Sequence, residues 1–180
     1  MMTMSPGLRK FALTAHVTSS VGWIGAVIGS LALAVAGLTS RDAQVVRAAY
    51  LMLELTGWYV LVPLSLASLL TGLVMSLGTA WGLFRHYWVI IKFLINVFAN
   101  IVLLMYTQTL SHLSGVASQT IYSGGDVAGL RSASPVIHAV AALMLLLVAV
   151  VLSVYKPRGM TRYGRRKQRE QHTLSQPWIQ

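Results

Sequence analysis

Four histidines, a lone carboxylate and one lysine stand inside or at the edges of long apolar stretches, and their types and spacing define the chemistry open to the chain. His16 falls near the start of the first stretch and His86 just before the third; His112 follows the third and His138 lies one turn into the fourth. Sorted by depth they form an inner pair, His16 with His86, and an outer pair, His112 with His138. Imidazoles at matched depth on two helices are what axial ligation of a b-type haem requires. Imidazole also suits copper and other late transition metals, with His16 and His138 as the candidate ligands. Histidines at helix ends can equally do no more than meet headgroups. His172 sits apart in the polar tail.

Two further polar features fall within apolar sequence. Lys92, Asn96, Asn100 and Thr107 recur at intervals that keep them on one helical stripe. Polar groups in hydrocarbon are costly, so this stripe is expected to face protein or a cavity. Lys92 is close enough to the helix start to snorkel, whereas the Asn96 amide is not. Glu54 is the only carboxylate inside an apolar stretch, with Trp58 and Tyr59 one turn on. It is a candidate for cation or proton coupling beside aromatic walls. The alternative is an interfacial carboxylate paired with Arg47, Arg131 or a histidine.

The elements that must position these residues follow from composition. Of 180 residues 56% are hydrophobic and only 10% are charged, with a mean hydropathy of +0.67. Soluble domains carry about 25% charged residues, so a lipid phase must cover part of this chain. Apolar stretches at about 11–38, 48–77, 88–110 and 135–155 each supply the roughly 20 residues a membrane-spanning helix needs. The expected fold is therefore all-α: a four-helix transmembrane bundle over 1–155 and a basic, partly disordered tail over 156–180. Pro63 predicts a kink in the second helix. Ser123-Gly124-Gly125-Asp126 signals a turn within a long connection, 111–134. Gly25 and Gly29 on the first helix form a GxxxG step, expected to serve close packing. His16, Ser19, Ser20, Trp23, Val27 and Ser30 share the opposite side, either lining a site or merely packing. Arg9 and Lys10 precede the first stretch as they would a signal peptide. The apolar run that follows is longer than the roughly 7–15 residues of a signal core, so the helix is expected to be retained.

Charge adds orientation. Eleven of the 14 Lys and Arg residues belong to the N-terminal arm, the connection before the third helix with Lys92, and the tail, against three (Arg41, Arg47 and Arg131) on the other side. The positive-inside bias then puts both termini in the cytoplasm. Lys156, Arg158, Arg162, Arg165, Arg166, Lys167 and Arg169 make half of that basic total. Directly after an apolar segment they read as a retention signal that meets anionic lipid headgroups, not as a nucleic-acid site. Absence of cysteine excludes disulfides, thiolate zinc sites, iron–sulfur clusters and covalently attached c-type haem.

Several segments together resemble a group of uncharacterised bacterial four-helix integral membrane proteins. These are His16-Val17, Gly22-Trp23-Ile24-Gly25-Ala26, Leu70-Thr71-Gly72-Leu73, the run from Gly78 to Val89, and Lys92. The likeness spans the first three helices and implies a bacterial plasma (inner) membrane location. More distantly the pattern is similar to the copper-resistance D proteins and the four-helix membrane protoporphyrinogen oxidases. That resemblance implies His16 as a haem or metal ligand and Lys92 as partner to a porphyrin carboxylate or other anion. After Lys92 the chain departs from the oxidase pattern.

Three functional readings result. The first is a redox or haem/copper-handling membrane protein binding haem b or copper. The second is a small proton-coupled transporter using Glu54, working as a homo-oligomer. The third is a non-catalytic membrane subunit or scaffold, motivated by the lack of a nucleophile triad, P-loop, HExxH or dinucleotide fingerprint.

Overall fold

In a computed structural model, residues 4–78, 82–123, 130–157 and 159–175 are described. Helix α1 spans Pro6–Thr39, capped by the Ser5 hydroxyl, which accepts from the Leu8 amide at 3.4 Å, with Pro6 in the first turn. Helix α2 spans Ala43–Gly78 and starts on Asp42, whose carboxylate accepts from the Gln44 amide at 2.8 Å. Helix α3 spans Tyr87–Ser123 and α4 spans Ser134–Tyr155. All four contain stretches long and apolar enough to cross a membrane. Within their most apolar windows only 28, 22, 22 and 11% of residues are buried inside the chain, so most of that apolar surface needs another apolar phase.

The helices run up and down in a ring, α1 against α2 and α4, α3 against the same two. Three buried clusters stack along the bundle. Ala34, Val46, Tyr50, Leu53, Leu110, Ala117 and Leu130 pack at the end of the 40–42 turn; Trp23, Val27, Leu61, Ala99 and Leu146 pack in the middle. Leu83, Trp88 and Val89 pack at the opposite end, where α1 begins and α4 ends.

Several sequence expectations change. Pro63 is accommodated a turn early, as a π segment at Gly57–Leu61 in which the Val62 amide reaches back to the Gly57 carbonyl. Proline lacks the donor for the Tyr59 carbonyl and its ring crowds that group, and the wider turn relieves both. Helix α3 does not stop near residue 110. Thr107, Leu110, Ser114 and Ala117 form one buried stripe at helical spacing, so packing against α2 carries the helix on to Ser123. Of the expected turn at 123–126, Gly124, Gly125 and Asp126 lie outside the described residues. The GxxxG step is not a packing face within the chain: a Cβ on Gly25 or Gly29 would meet nothing within 4 Å. The buried side of α1 is the opposite one, Ser19, Trp23, Val27, Ser30, Ala34 and Gly37.

The tail, expected to be partly disordered, forms helix α5, Arg162–Ser175. It is pinned to the turn before α3. The Thr161 amide donates to the Arg85 carbonyl at 3.0 Å, its hydroxyl to the Phe84 carbonyl at 2.5 Å, and the Tyr87 amide to the Gly159 carbonyl at 3.3 Å. The Thr161 hydroxyl also accepts from the Gly164 amide at 3.0 Å, an N-cap for α5. Arg158 and the His172 side chain lie outside the described residues.

Candidate functional site

A cavity of 310 Å³ lies in the middle of the bundle between α1, α3 and α4, with Leu53 and Leu61 of α2 at its edge. Its walls are Trp23 and Val27 of α1, Ala99, Leu103 and Leu110 of α3, and Ala139, Ala141, Ala142 and Leu145 of α4. Short side chains on α4 face the large Trp23 indole without filling the space between the helices. The volume is at the lower end of the range for small-molecule sites, about 300–1,000 Å³.

Among the described residues, Ser30, Tyr106 and His138 are the polar side chains that line this space besides the Trp23 indole. Ser30 is 5% exposed and its hydroxyl has no hydrogen-bond partner among the described residues. A serine in a membrane helix ordinarily bonds back to a carbonyl one turn earlier, as Ser153 does to Ala149 here. Tyr106 and His138 stack face to face, ring centroids 3.9 Å apart and planes 15° from parallel. Both are tied to the start of α4: the Tyr106 hydroxyl is 3.2 Å from the Ser134 hydroxyl, and His138 Nδ1 is 2.9 Å from the Ser134 carbonyl. A carbonyl only accepts, so Nδ1 carries the hydrogen and Nε2 of the neutral ring keeps its lone pair. The cavity thus combines an unused hydroxyl donor, a free imidazole acceptor and an apolar body.

The other histidines do not join this site. His16 lies over Gly72, where an added Cβ would come 3.0 Å from its Cε1. Its Nδ1 is 3.2 Å from the Ser68 carbonyl and 3.1 Å from the Thr71 hydroxyl. Thr71 spends its own proton on the Ala67 carbonyl at 2.6 Å, so His16 is the donor. With the Ser20–Ser68 hydroxyl pair at 2.8 Å, this makes a polar seam between α1 and α2. His86 pairs with Met160 in an isolated bridge, its ring 6.4 Å from Trp88. His112 is exposed on α3. The four histidines therefore have four separate sets of neighbours. Among the described residues no group of three or more His, Cys, Asp or Glu side chains could hold a metal ion.

Lys92 links α3 to α4 by donating to the Ser153 hydroxyl at 3.0 Å. Asn96 and Asn100 bond mainly to each other: Asn100 Nδ2 donates to the Asn96 carbonyl at 2.9 Å. The Asn100 Oδ1 is buried without a partner among the described residues. The Glu54 carboxylate has no ion-pair or hydrogen-bond partner among the described residues, so the expected pairing with Arg47, Arg131 or a histidine is not formed there. Nor is it walled by aromatics, because Tyr59 is 77% exposed and the Trp58 indole reaches across to the Ser111 hydroxyl at 3.3 Å. Glu54 is also near the edge of the span. Gly57, one turn closer to the bundle centre, faces Leu110 and Thr107, while neighbouring Tyr106 bonds Ser134, the first residue of α4.

Sequence reasoning placed Ser30, Trp23 and Val27 on one side of α1 without fixing whether that side packs or lines a site; they do line one. Tyr106 was placed only at the border of the Lys92–Thr107 stripe, and its partnership with His138 was missed. Their residues stand 32 positions apart, and only the antiparallel pairing of α3 with α4 brings them together. No family model matches this chain, and neither a curated protein nor a solved structure matches it.

Proposed function

We propose that the chain is a multi-pass plasma-membrane protein, both termini cytoplasmic, that binds a membrane-dissolved amphiphile in the cavity between α1, α3 and α4. The ligand chemistry is an apolar body with a carbonyl or hydroxyl head, as in a quinone. The observation that carries this reading is the unpartnered Ser30 hydroxyl, 5% exposed, on the wall of an otherwise apolar cavity. A buried hydroxyl without a partner is unfavourable by about 1–3 kcal/mol, and a ligand acceptor removes that penalty. His138 Nε2 supplies the complementary acceptor for a ligand hydroxyl. The orientation rests on the eleven-to-three charge asymmetry, and reporter fusions at each terminus test it.

The binding test uses a decyl-chain benzoquinone, which quenches nearby indole fluorescence. Titration of detergent-purified protein should quench the component that the Trp23→Phe variant lacks. Filling the cavity by Ala142→Phe should abolish that quenching, and Ser30→Ala should weaken it about fivefold, one hydrogen bond of about 1 kcal/mol. Equal quenching in wild type and Ala142→Phe would refute the site.

A second reading keeps a b-type haem or copper, with His138 as ligand. It is supported by the Nδ1 bond to the Ser134 carbonyl, the outer contact that typically orients a ligating imidazole. His16 has the same feature through Ser68. The separation of the histidines into four neighbourhoods favours one protein axial ligand over two. An absorption spectrum of protein from haem-replete cells tests it: a Soret band lost in His138→Ala supports the reading, and no band at all rejects haem.

A further inference from the structure

The tail helix does not hang free. Its first turn is locked to the turn before α3 by the Thr161 and Tyr87 hydrogen bonds described above, and the lock needs a glycine. A Cβ on Gly164 would run into the Arg85 carbonyl oxygen and lie 3.1 Å from its Cα and 3.2 Å from its carbonyl carbon. Those atoms are backbone and cannot swing aside. At 100° per residue, the face opposite Gly164 carries Arg162, Arg165, Arg166 and Arg169, all exposed and lining one cleft of 260 Å³. Glu170 engages Arg166 at 3.1 Å, the one ion pair among the described residues, and leaves three guanidinium groups uncompensated.

The height of this cleft is set by the dock. Tyr87 begins α3 and Tyr155 ends α4, whose 22 residues span about 33 Å, close to one bilayer core. Phe84, Tyr87, Tyr155 and Tyr163 are all exposed around it, the aromatic belt expected at the level of lipid headgroups. We propose that docked α5 is a preorganised binding site for the phosphate groups of anionic phospholipids. Guanidinium groups pair with phosphate oxygens in a planar, bidentate manner. Holding three or four on one short helix at headgroup height spares the ordering that a flexible basic tail would require. This inference is independent of the central cavity.

The test is native mass spectrometry of the full chain in detergent, titrated with dioleoyl-phosphatidylglycerol or with zwitterionic dioleoyl-phosphatidylcholine. Wild type should prefer the anionic lipid. The Arg162→Gln/Arg165→Gln/Arg169→Gln variant should lose roughly a hundredfold in that affinity, from about fivefold per arginine. Gly164→Ala keeps every charge but breaks the dock, and should lose at least about fivefold; Thr161→Val, with all three Thr161 hydroxyl bonds gone, should move the same way. Retained preference in Gly164→Ala and Thr161→Val would overturn the preorganised site and leave only net charge. Tighter arginine-dependent binding of inorganic pyrophosphate, or of a single-stranded RNA oligomer, would overturn the assignment to lipid.

Discussion

Replacing Gly164 with alanine should release the tail helix while leaving the four-helix bundle folded. The added methyl lies 3.1–3.2 Å from the Arg85 Cα and carbonyl carbon and closer still to its oxygen. The backbone segments must separate by several tenths of an ångström to reach ordinary contact. Three donors hold the dock, at 2.5, 3.0 and 3.3 Å, the Thr161 hydroxyl being shared with the Arg85 carbonyl at 3.4 Å. Each contributes about 0.5–1.5 kcal/mol net. Against this, alanine favours the helix over glycine by about 1 kcal/mol. The net loss is about 1–3 kcal/mol, borne by the dock alone because its bonds join only residues 84–87 to residues 159–161.

Hydrogen exchange reads this directly. The Thr161 and Tyr87 amides should exchange between about fivefold and a hundredfold faster in the variant, at about 1.4 kcal/mol per tenfold. Amides in the middle of α1 to α4 should keep their rates, and the thermal midpoint in detergent should not move. Unchanged protection at Thr161 and Tyr87 would refute the steric reasoning. A fall in protection across the whole bundle would refute the separation of dock from core.

Ser30→Ala should leave stability unchanged or raise it by about 1–3 kcal/mol, because it deletes a buried donor without a partner; thermal unfolding of the ligand-free protein checks the sign. Gly72→Ala should destabilise by about 1–2 kcal/mol through its contact with His16, and much less in a His16→Ala background; a double-mutant cycle with no coupling would show that the ring does not depend on that gap. Gly25→Ala and Gly29→Ala should fold as well as wild type or slightly better, since neither methyl meets another atom of the chain within 4 Å. Glu54→Gln should change the unfolding midpoint little, because no ion pair is lost among the described residues; a large drop would reveal a partner for that carboxylate.

The spans were legible because each is dense in apolar residues, and a lipid phase demands that density directly. The last turns of α3 were not. Ser111-His112-Leu113-Ser114-Gly115 is polar on average, and its helical character lies in the period of its buried residues, not in their number. The tail helix was hidden for a similar reason: its stability comes from a threonine cap and a glycine contact 79 positions from Arg85 in sequence. Small residues misled in the opposite direction. Gly25 and Gly29 resemble a packing motif, yet the interior of the ring is wide enough to take Trp23 and Val27, so the bulky side of α1 turns inward. Histidine depth could be read from position along each helix, but whether two rings meet depends on rotation about the helix axes.

The position of the cavity follows from what closes each end. Tyr50 and Leu130 fill the bundle at the 40–42 end, and Trp88 with Leu83 fills the opposite end. Between them α4 offers Ala139, Ala141 and Ala142, and the space those alanines leave beside Trp23 and Leu103 is unfilled. Yet the wall also includes Phe98 and Ile137, which are 57% and 63% exposed. Residues that line the cavity and face outward on adjacent helices mark its opening, which lies between α3 and α4, toward the lipid. The proposed amphiphile would therefore enter from the bilayer, with its apolar part leading past Phe98 and its polar head left where Tyr106 and His138 are tied to the start of α4. Enlarging Ile137 to tryptophan at that opening should slow quinone access without changing the final quenching, whereas Ala142→Phe inside should remove the quenching itself. Equal effects of the two substitutions on rate and extent would place the opening elsewhere.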